Sequence, residues 1–295
     1  MTTPGSTLPP VLVLGATGGQ GGAVAAALIR AGRPVRALVR DPASPAARRL
    51  AAAGAQLAAG DFTNPETLTA AMQGTAAAFA LTTPFESGPG AELEQGRTII
   101  EAAAAAGLGH LVFSSVAGAT QETGIPHFES KAAVERILAA SGLPHTVVAP
   151  TYFYDNALGG AEQLRRGVLE LPLPAGHQLQ QLDRTDLGSF VELVLRDPAA
   201  FAGRRIELAS DAPTPAQMSQ TLSAALGRPV RFDEVPMSAV RQSSPDMAAM
   251  WGFLRGQGYQ ADIGALNRDY PEVAWTSFRA WAQRTAGPAL APPAP

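Results

Sequence analysis

Val11-Leu-Val-Leu-Gly15-Ala-Thr-Gly18-Gly-Gln-Gly21-Gly22-Ala-Val24 is an apolar run that breaks into glycines and continues as an Ala-rich segment. The run has the length and residue types of a buried strand, and the segment after it has helical character. Gly15, Gly18 and Gly21 are spaced G-x-x-G-x-x-G. This differs from the G-x-G-x-x-G of many dinucleotide folds, but the physics is shared. Glycines permit a tight turn and a close backbone approach, and the helix start offers unpaired N–H groups to a pyrophosphate. A glycine turn can also serve only to pack strand on helix. Its position in the first strand–helix turn favours phosphate binding.

Outward from this turn, short apolar runs alternate with helix-like runs. Strands are expected at 11–14, 35–39, 56–59, 77–81, 111–114 and 146–149, with helices at 21–31, 45–53, 65–72, 91–106 and 127–140. Ser44-Pro45 and Asn64-Pro65 each place a capping side chain before a proline suited to the first helical position. Such alternation implies βαβ units and a parallel α/β sheet covered on both faces. After about residue 150 the alternation weakens. Helices at 161–167, 186–195, 215–226 and 275–284, with short strands at 206–208 and 229–233, are expected to form a smaller α/β subdomain on the substrate side. The divisions are then 1–150 and 151–285, with chain crossovers between them. Residues 286–295, rich in Ala and Pro, read as a disordered tail.

In dinucleotide folds the residue that reads the adenine ribose lies at the end of the second strand, about 20 residues past the glycines. That slot holds Arg40, followed by Asp41. A guanidinium forms charge-assisted, bidentate bonds to a 2′-phosphate and so favours NADP(H). Asp41 is the rival, able to hold a free 2′-hydroxyl or to act as a turn residue in Asp41-Pro-Ala-Ser-Pro45. Asp61, after the third strand, stands where it could meet adenine or help start the next helix.

Lys131 is the only lysine beside 21 arginines. On the helix that contains it, residues 127, 131, 134 and 138 share one face, and Val134 and Leu138 make that face apolar. A lysine on a buried face needs a partner or a ligand, or else snorkels to solvent. An ammonium is also a compact donor whose pKa can shift, which a guanidinium is not.

Composition narrows the field. The chain has 295 residues, and 46% are hydrophobic, enough for a large core. A net charge of −3 gives no basic footprint for nucleic acid. The absence of cysteine excludes disulfides, thiolate catalysis and cysteine metal sites, and the four histidines have no metal-ligand spacing, so no metal is expected. The long uncharged stretches 11–29 and 137–154 are broken by glycines and prolines, so no membrane span is expected. Residues 1–10 lack the features of a secretory signal, and a cytoplasmic location follows as an expectation.

Strand–Gly15-Ala-Thr-Gly-Gly-Gln-Gly-Gly22–helix, Val39-Arg40-Asp-Pro42, Gly60-Asp61, the strand ending Phe113-Ser114-Ser115, and Pro150-Thr-Tyr-Phe153-Tyr-Asp-Asn156 together resemble the NmrA-like branch of the atypical short-chain dehydrogenase/reductase superfamily. The resemblance runs from about residue 11 to 284. It implies a Rossmann-type, doubly wound parallel sheet with a smaller C-terminal α/β substrate-side subdomain, and NADP(H) held at Gly15, Thr17, Gly18, Gln20 and Gly21. It implies Arg40 on the 2′-phosphate, Asp61 and Phe62 on the adenine side, and Thr82 on ribose. Lys131 would reach the nicotinamide ribose, and Tyr152, Phe153 and Asn156 would border the nicotinamide. The wider superfamily uses Tyr-x-x-x-Lys with an upstream Ser. Here Ser115, His127 and Lys131 fill that frame, with histidine in the tyrosine slot.

Phe85, Tyr154, Trp251 and Phe253 are candidate walls of an aromatic pocket for a flat apolar acceptor such as a quinone, though Trp251 and Phe253 also suit ordinary core packing. The functional expectation is an NADPH-dependent reductase of a small-molecule acceptor, of quinone or carbonyl type. The alternative is a non-catalytic NADP(H) sensor that regulates a protein partner.

Overall fold

A computed structural model of the chain describes residues 8–84 and 87–290. Its centre is a seven-stranded sheet in which every neighbouring pair is parallel. The strands are β1 (Val11–Val13), β2 (Val35–Val39), β3 (Gln56–Ala59), β4 (Ala77–Leu81), β5 (Leu111–Ser114), β6 (His145–Pro150) and, from later in the chain, β10 (Arg205–Leu208). Their order is β10-β6-β5-β4-β1-β2-β3. The order reverses at β1, where β4 lies on one side and β2 on the other. In such folds ligands bind beyond the carboxyl ends of the strands at this reversal.

Both faces of β1 are buried, which explains an apolar run without alternation. Val11 and Val13 pack with α1 (Gly19–Arg30) and α7 (Arg184–Arg196). Leu12 and Leu14 face the side that holds α3 (Pro65–Met72), α4 (Gly88–Ala105) and α5 (Pro126–Ala140). The short α2 (Pro45–Ala52) connects β2 to β3. The expected caps form: Ser44 accepts from the Ala47 amide, and Asn64 from the amides of Glu66 and Thr67.

Two glycines outside the turn bring helices together. A Cβ at Gly96 of α4 would lie 2.5 Å from a Val134 methyl of α5. A Cβ at Gly188 of α7 would lie 2.4 Å from the Ala23 carbonyl oxygen of α1. Residues from the second half thus complete the first-half sheet: α7 covers one face and β10 pairs with β6.

After β6 come β7 (Tyr152–Phe153), α6 (Ala161–Arg165), β8 (Val168–Leu171), β9 (Gln181–Leu182), α8 (Pro198–Phe201), α9 (Pro215–Leu226) and β11 (Arg231–Glu234). β7 pairs with β9, and β8 with β11. The helices α10 (Met237–Ser243), α11 (Pro245–Arg255), α12 (Ile263–Asp269), α13 (Phe278–Trp281) and α14 (Gly287–Leu290) follow. A second core gathers Tyr154, Trp251, Phe278 and Trp281. The expected helix over 275–284 instead begins at Phe278 and widens into a π turn over Ala282–Ala286. The expectation of a tail from 286 is corrected: Ala286 and Leu290 are buried in this second core. Residues 291–295 lie outside the described residues. Among the described residues no helix is long and apolar enough to cross a membrane.

Candidate functional site

A cavity of about 640 Å³ opens at the carboxyl edge of the sheet, within the range of small-molecule sites. One side is the glycine turn. Gly15 sits at φ +64°, a conformation that favours glycine, and a Cβ there would also press on Leu81 at 3.0 Å. Gly21 answers a different need, because its Cβ would lie 2.4 Å from the Gly15 carbonyl oxygen and 2.5 Å from that of Leu14. The third glycine lets α1 lie directly against the strand end. Gly18 is the N-cap of α1, with no side-chain cap and no acidic residue in the first turn. The leading N–H groups of the helix therefore face the cavity with no acidic residue of that turn to compete for them. Gln20 is fixed by Ser114, whose hydroxyl donates to its side-chain oxygen at 2.7 Å.

Of the residues expected to hold a cofactor, Gly15, Thr17, Gly18, Gln20, Gly21, Arg40, Asp61, Phe62 and Phe153 line this cavity. Arg40 stands at the exposed rim where β2 ends, and Asp41 turns away to accept the Ala43 amide at 2.8 Å. Asp61 accepts from the amide and hydroxyl of Thr63, at 2.8 and 2.7 Å. The Thr63 hydroxyl, then its amide, hold the Asp61 carboxyl below its usual range, with a smaller contribution from Arg40. The cavity thus has a phosphate-sized glycine cradle, an arginine at its ribose end and a carboxylate beside it. These features fit an adenine dinucleotide bearing a 2′-phosphate.

The residues expected to carry chemistry lie in one region, with His127 and Lys131 a turn apart on α5, but are dispersed among different partners. The Lys131 ammonium lies 2.8 Å from Glu92, 2.5 Å from the Thr82 carbonyl oxygen and 3.1 Å from the Thr82 hydroxyl. Those contacts match its three donors. Burial pushes its pKa below the ordinary lysine value, and Glu92 followed by Glu135 oppose that shift. Thr82 also donates to Glu92 at 2.9 Å, and the Ser130 hydroxyl binds the other carboxylate oxygen. Lys131 and Thr82 are thus parts of a buried clamp, and neither is among the residues that line the cavity.

Ser115 is bound by a different carboxylate from Lys131. Its hydroxyl donates to Glu135, whose other oxygen is bound by Arg205 at 2.8 Å. Ser114 is the serine on the glycine-turn side. His127 places Nδ1 2.7 Å from Asp246 of α11 and lies beside Pro84, Pro89 and Pro126. The Ser–His–Lys frame is therefore split among three carboxylates: Glu135, Asp246 and Glu92.

The aromatic wall is also corrected. Tyr154 is fully buried, donates to the Thr276 carbonyl at 3.0 Å, and packs on Phe278 and Trp281. Burial raises its pKa, with Asp211 and other nearby carboxylates adding to the shift. Trp251 belongs to the same core, and Phe253 packs edge-on against Phe128 and Tyr259. Tyr152 leans on Trp251 and hydrogen-bonds Asn156, and burial pushes its phenol up to about 12. Neither Tyr152 nor Asn156 lines the cavity. Phe85 lies outside the described residues.

Sequence reasoning missed Glu92, Gln95 and Arg184. Glu92 falls on the buried stripe of α4 with Gly96, Ile99, Ile100 and Ala103. A carboxylate on an apolar stripe, opposite a lone lysine on another, was the available signal. Gln95 lines the cavity and accepts the Thr83 amide at 3.3 Å. Arg184 reaches the cavity from α7 and carries no motif signal.

The NmrA-like family pattern matches residues 9–268. An NAD(P)H azoreductase of Xenophilus azovorans is 32% identical over 238 residues, covering 80% of this chain and 81% of that protein. The NADPH-dependent quinone oxidoreductase of Escherichia coli, solved with NADPH, shares the fold at a TM-score of 0.75 and 24% identity, covering 93% of this chain and 99% of that one. The negative transcriptional regulator NmrA, solved with NADP, shares it at a TM-score of 0.78 and 22% identity, with 95% and 96% covered. With its sheet, its glycine turn and the matched span of its sequence, the chain belongs to the NmrA-like family.

Proposed function

We propose that the chain binds NADP(H) in the cavity at the glycine turn and reduces small conjugated acceptors of the quinone type. The observation that carries the cofactor preference is the split at the end of β2. Arg40 lines the cavity, whereas the Asp41 carboxylate is spent on the turn that follows. A 2′-phosphate meets a guanidinium there, whereas the carboxylate beside it, Asp61, is held by Thr63.

The acceptor class rests on the dispersal of the acid–base frame. Lys131, His127 and Ser115 are each held by a carboxylate away from the cavity lining. A secondary alcohol needs a base to take its proton as hydride leaves. A quinone accepts hydride to give a delocalised oxyanion, which solvent can protonate. The bound nicotinamide supplies the hydride. The protein's own contribution is to hold the acceptor against it beside Phe153 and to exclude competing geometries. The similarity to an NAD(P)H azoreductase supports an electron-poor conjugated acceptor.

The test is NADPH oxidation with a quinone panel against NADP+ reduction by secondary alcohols, together with cofactor binding to Arg40→Ala. Quinone turnover should exceed alcohol turnover, and Arg40→Ala should cost NADPH roughly 1.5–3 kcal/mol of binding while NADH is little affected. Equal losses for both cofactors would remove Arg40 from the 2′-phosphate, and robust alcohol oxidation without quinone activity would overturn the acceptor class. The same dispersal favours a second reading, a regulator of a protein partner that responds to the NADP(H) ratio. Tight NADPH binding with no turnover on either class, and altered partner association, would select it.

A further inference from the structure

The dinucleotide reading leaves Gly19 unexplained, because it lies outside the 15, 18, 21 spacing. Its Cβ would fall 2.6 Å from both Cζ and one terminal nitrogen of Arg184, and 2.9 Å from Nε. Gly19 is therefore bare because a guanidinium lies across it. The cause is helix packing. Gly188 of α7 touches α1 at Ala23, and one turn earlier on each helix Arg184 meets Gly19. α1 and α7 run side by side in the same direction, and Arg184, the first residue of α7, arrives at the level of the glycine turn.

Arg184 is weakly committed there. Its nearest carboxylate, Asp155, is 3.6 Å away, beyond hydrogen-bond range. Among the described residues its Nε is buried with no hydrogen-bond partner. The guanidinium lies 5.7 Å from the centre of the Phe153 ring, which lines the same cavity. A buried donor with no acceptor costs free energy that a ligand oxyanion would recover. Asp155 is itself half-buried, and burial raises its pKa while Arg184 opposes the shift.

We propose that Arg184 is a second clamp on the dinucleotide diphosphate, closing over it from α7 opposite the N–H groups of α1, with Asp155 as the carboxylate it exchanges for the ligand. The proposal rests on the cofactor reading above and adds to it a residue from the second half of the chain. The division of labour is by phosphate. Arg40 reads the 2′-phosphate, which NADH lacks, and Arg184 reads the diphosphate, which NADPH, NADH and ADP share. A guanidinium suits this because its planar donors can engage two phosphate oxygens at once.

Dissociation constants of the full chain for NADPH, NADH, ADP and adenosine 2′-monophosphate test it by calorimetric titration. Arg184→Ala should weaken NADPH, NADH and ADP by a common factor of about tenfold or more and leave adenosine 2′-monophosphate unchanged. Arg184→Lys should recover part of the loss. Gly19→Ala, which the tip of a flexible side chain can accommodate, should displace Arg184 and give the same pattern more weakly. Asp155→Asn should tighten all three diphosphate ligands. Unchanged constants in Arg184→Ala and Gly19→Ala would overturn the clamp. So would a loss confined to the KM of an anionic acceptor, which would assign Arg184 to the acceptor. If the unaltered protein binds neither NADPH nor NADH, the cofactor reading falls and the clamp with it. If it binds NADPH, and Arg40→Ala alone changes that binding, only the clamp falls.

Discussion

The glycine turn and the Ser115–His127–Lys131 frame lie at the same edge of one sheet, yet they are built in different terms. The turn is written in backbone terms: a left-handed φ at Gly15 and close backbone approach at Gly21, both local to one strand and one helix. The frame is written in side chains whose partners are distant in sequence. Ser115, His127 and Lys131 are bound by Glu135, Asp246 and Glu92, on α5, α11 and α4. A backbone motif carries its own geometry, whereas a constellation of polar side chains is set by whichever buried charge needs satisfying.

The sharpest way to break this contrast is Lys131→Ala. It leaves Glu92 buried without its cation, so unfolding free energy should fall by about 3–5 kcal/mol in urea titrations. The paired change Lys131→Met with Glu92→Gln should restore much of it. A Lys131→Ala protein of unaltered stability that binds NADPH poorly would return the lysine to the cofactor. Gly21→Ala comes next. Its methyl meets only backbone atoms of Leu14 and Gly15, which cannot rotate away, so a loss of about 3 kcal/mol is expected by the same measurement.

His110 tests the opposite edge of the sheet, just before β5. It is buried and bonded to the Thr146 hydroxyl at 2.9 Å. Burial, aided by the nearby His145, lowers its pKa from 6.5 to about 4. Between those values the unfolded chain takes up a proton that the native protein does not, so stability falls as pH drops through that window. The loss should reach roughly 2–3 kcal/mol, and His110→Gln should flatten that part of the pH profile. The smallest effect belongs to Tyr154→Phe. Losing the bond to Thr276 should cost about 1 kcal/mol and leave the KM for any acceptor unchanged, as suits a core residue. A KM shift without a stability change would put Tyr154 back on the substrate wall.

The parallel sheet was legible because the strands of the first half are short, mostly apolar runs set between helices. Ser44 and Asn64 cap where their types predict. That Arg40 and Asp61 reach the cavity was legible for the same reason: both sit at strand ends whose positions the alternation sets. Tyr154 misled, and Trp251 and Phe253 stood between two readings, because an aromatic cluster reads alike whether it lines a pocket or fills a core, and the packing of α11 and α13 makes the choice. Arg184 was invisible because its place depends on Gly188 meeting Ala23 across 165 residues of chain, a pairing no local pattern encodes.

That long-range pairing also orders events during synthesis. A nascent chain that has reached β6 holds the glycine turn and Arg40, but β6 is an unpaired edge until Arg205–Leu208 arrives. The Val11 and Val13 face of the sheet has α1 alone to cover it, and lies partly open, until α7 is made to residue 196. The first half therefore waits on the ribosome with part of an apolar face and a strand edge exposed, the condition under which chaperones engage growing chains. A cofactor present in the cell can meet the α1 turn early, yet the wall that Arg184 supplies is the last part of the cavity to be translated.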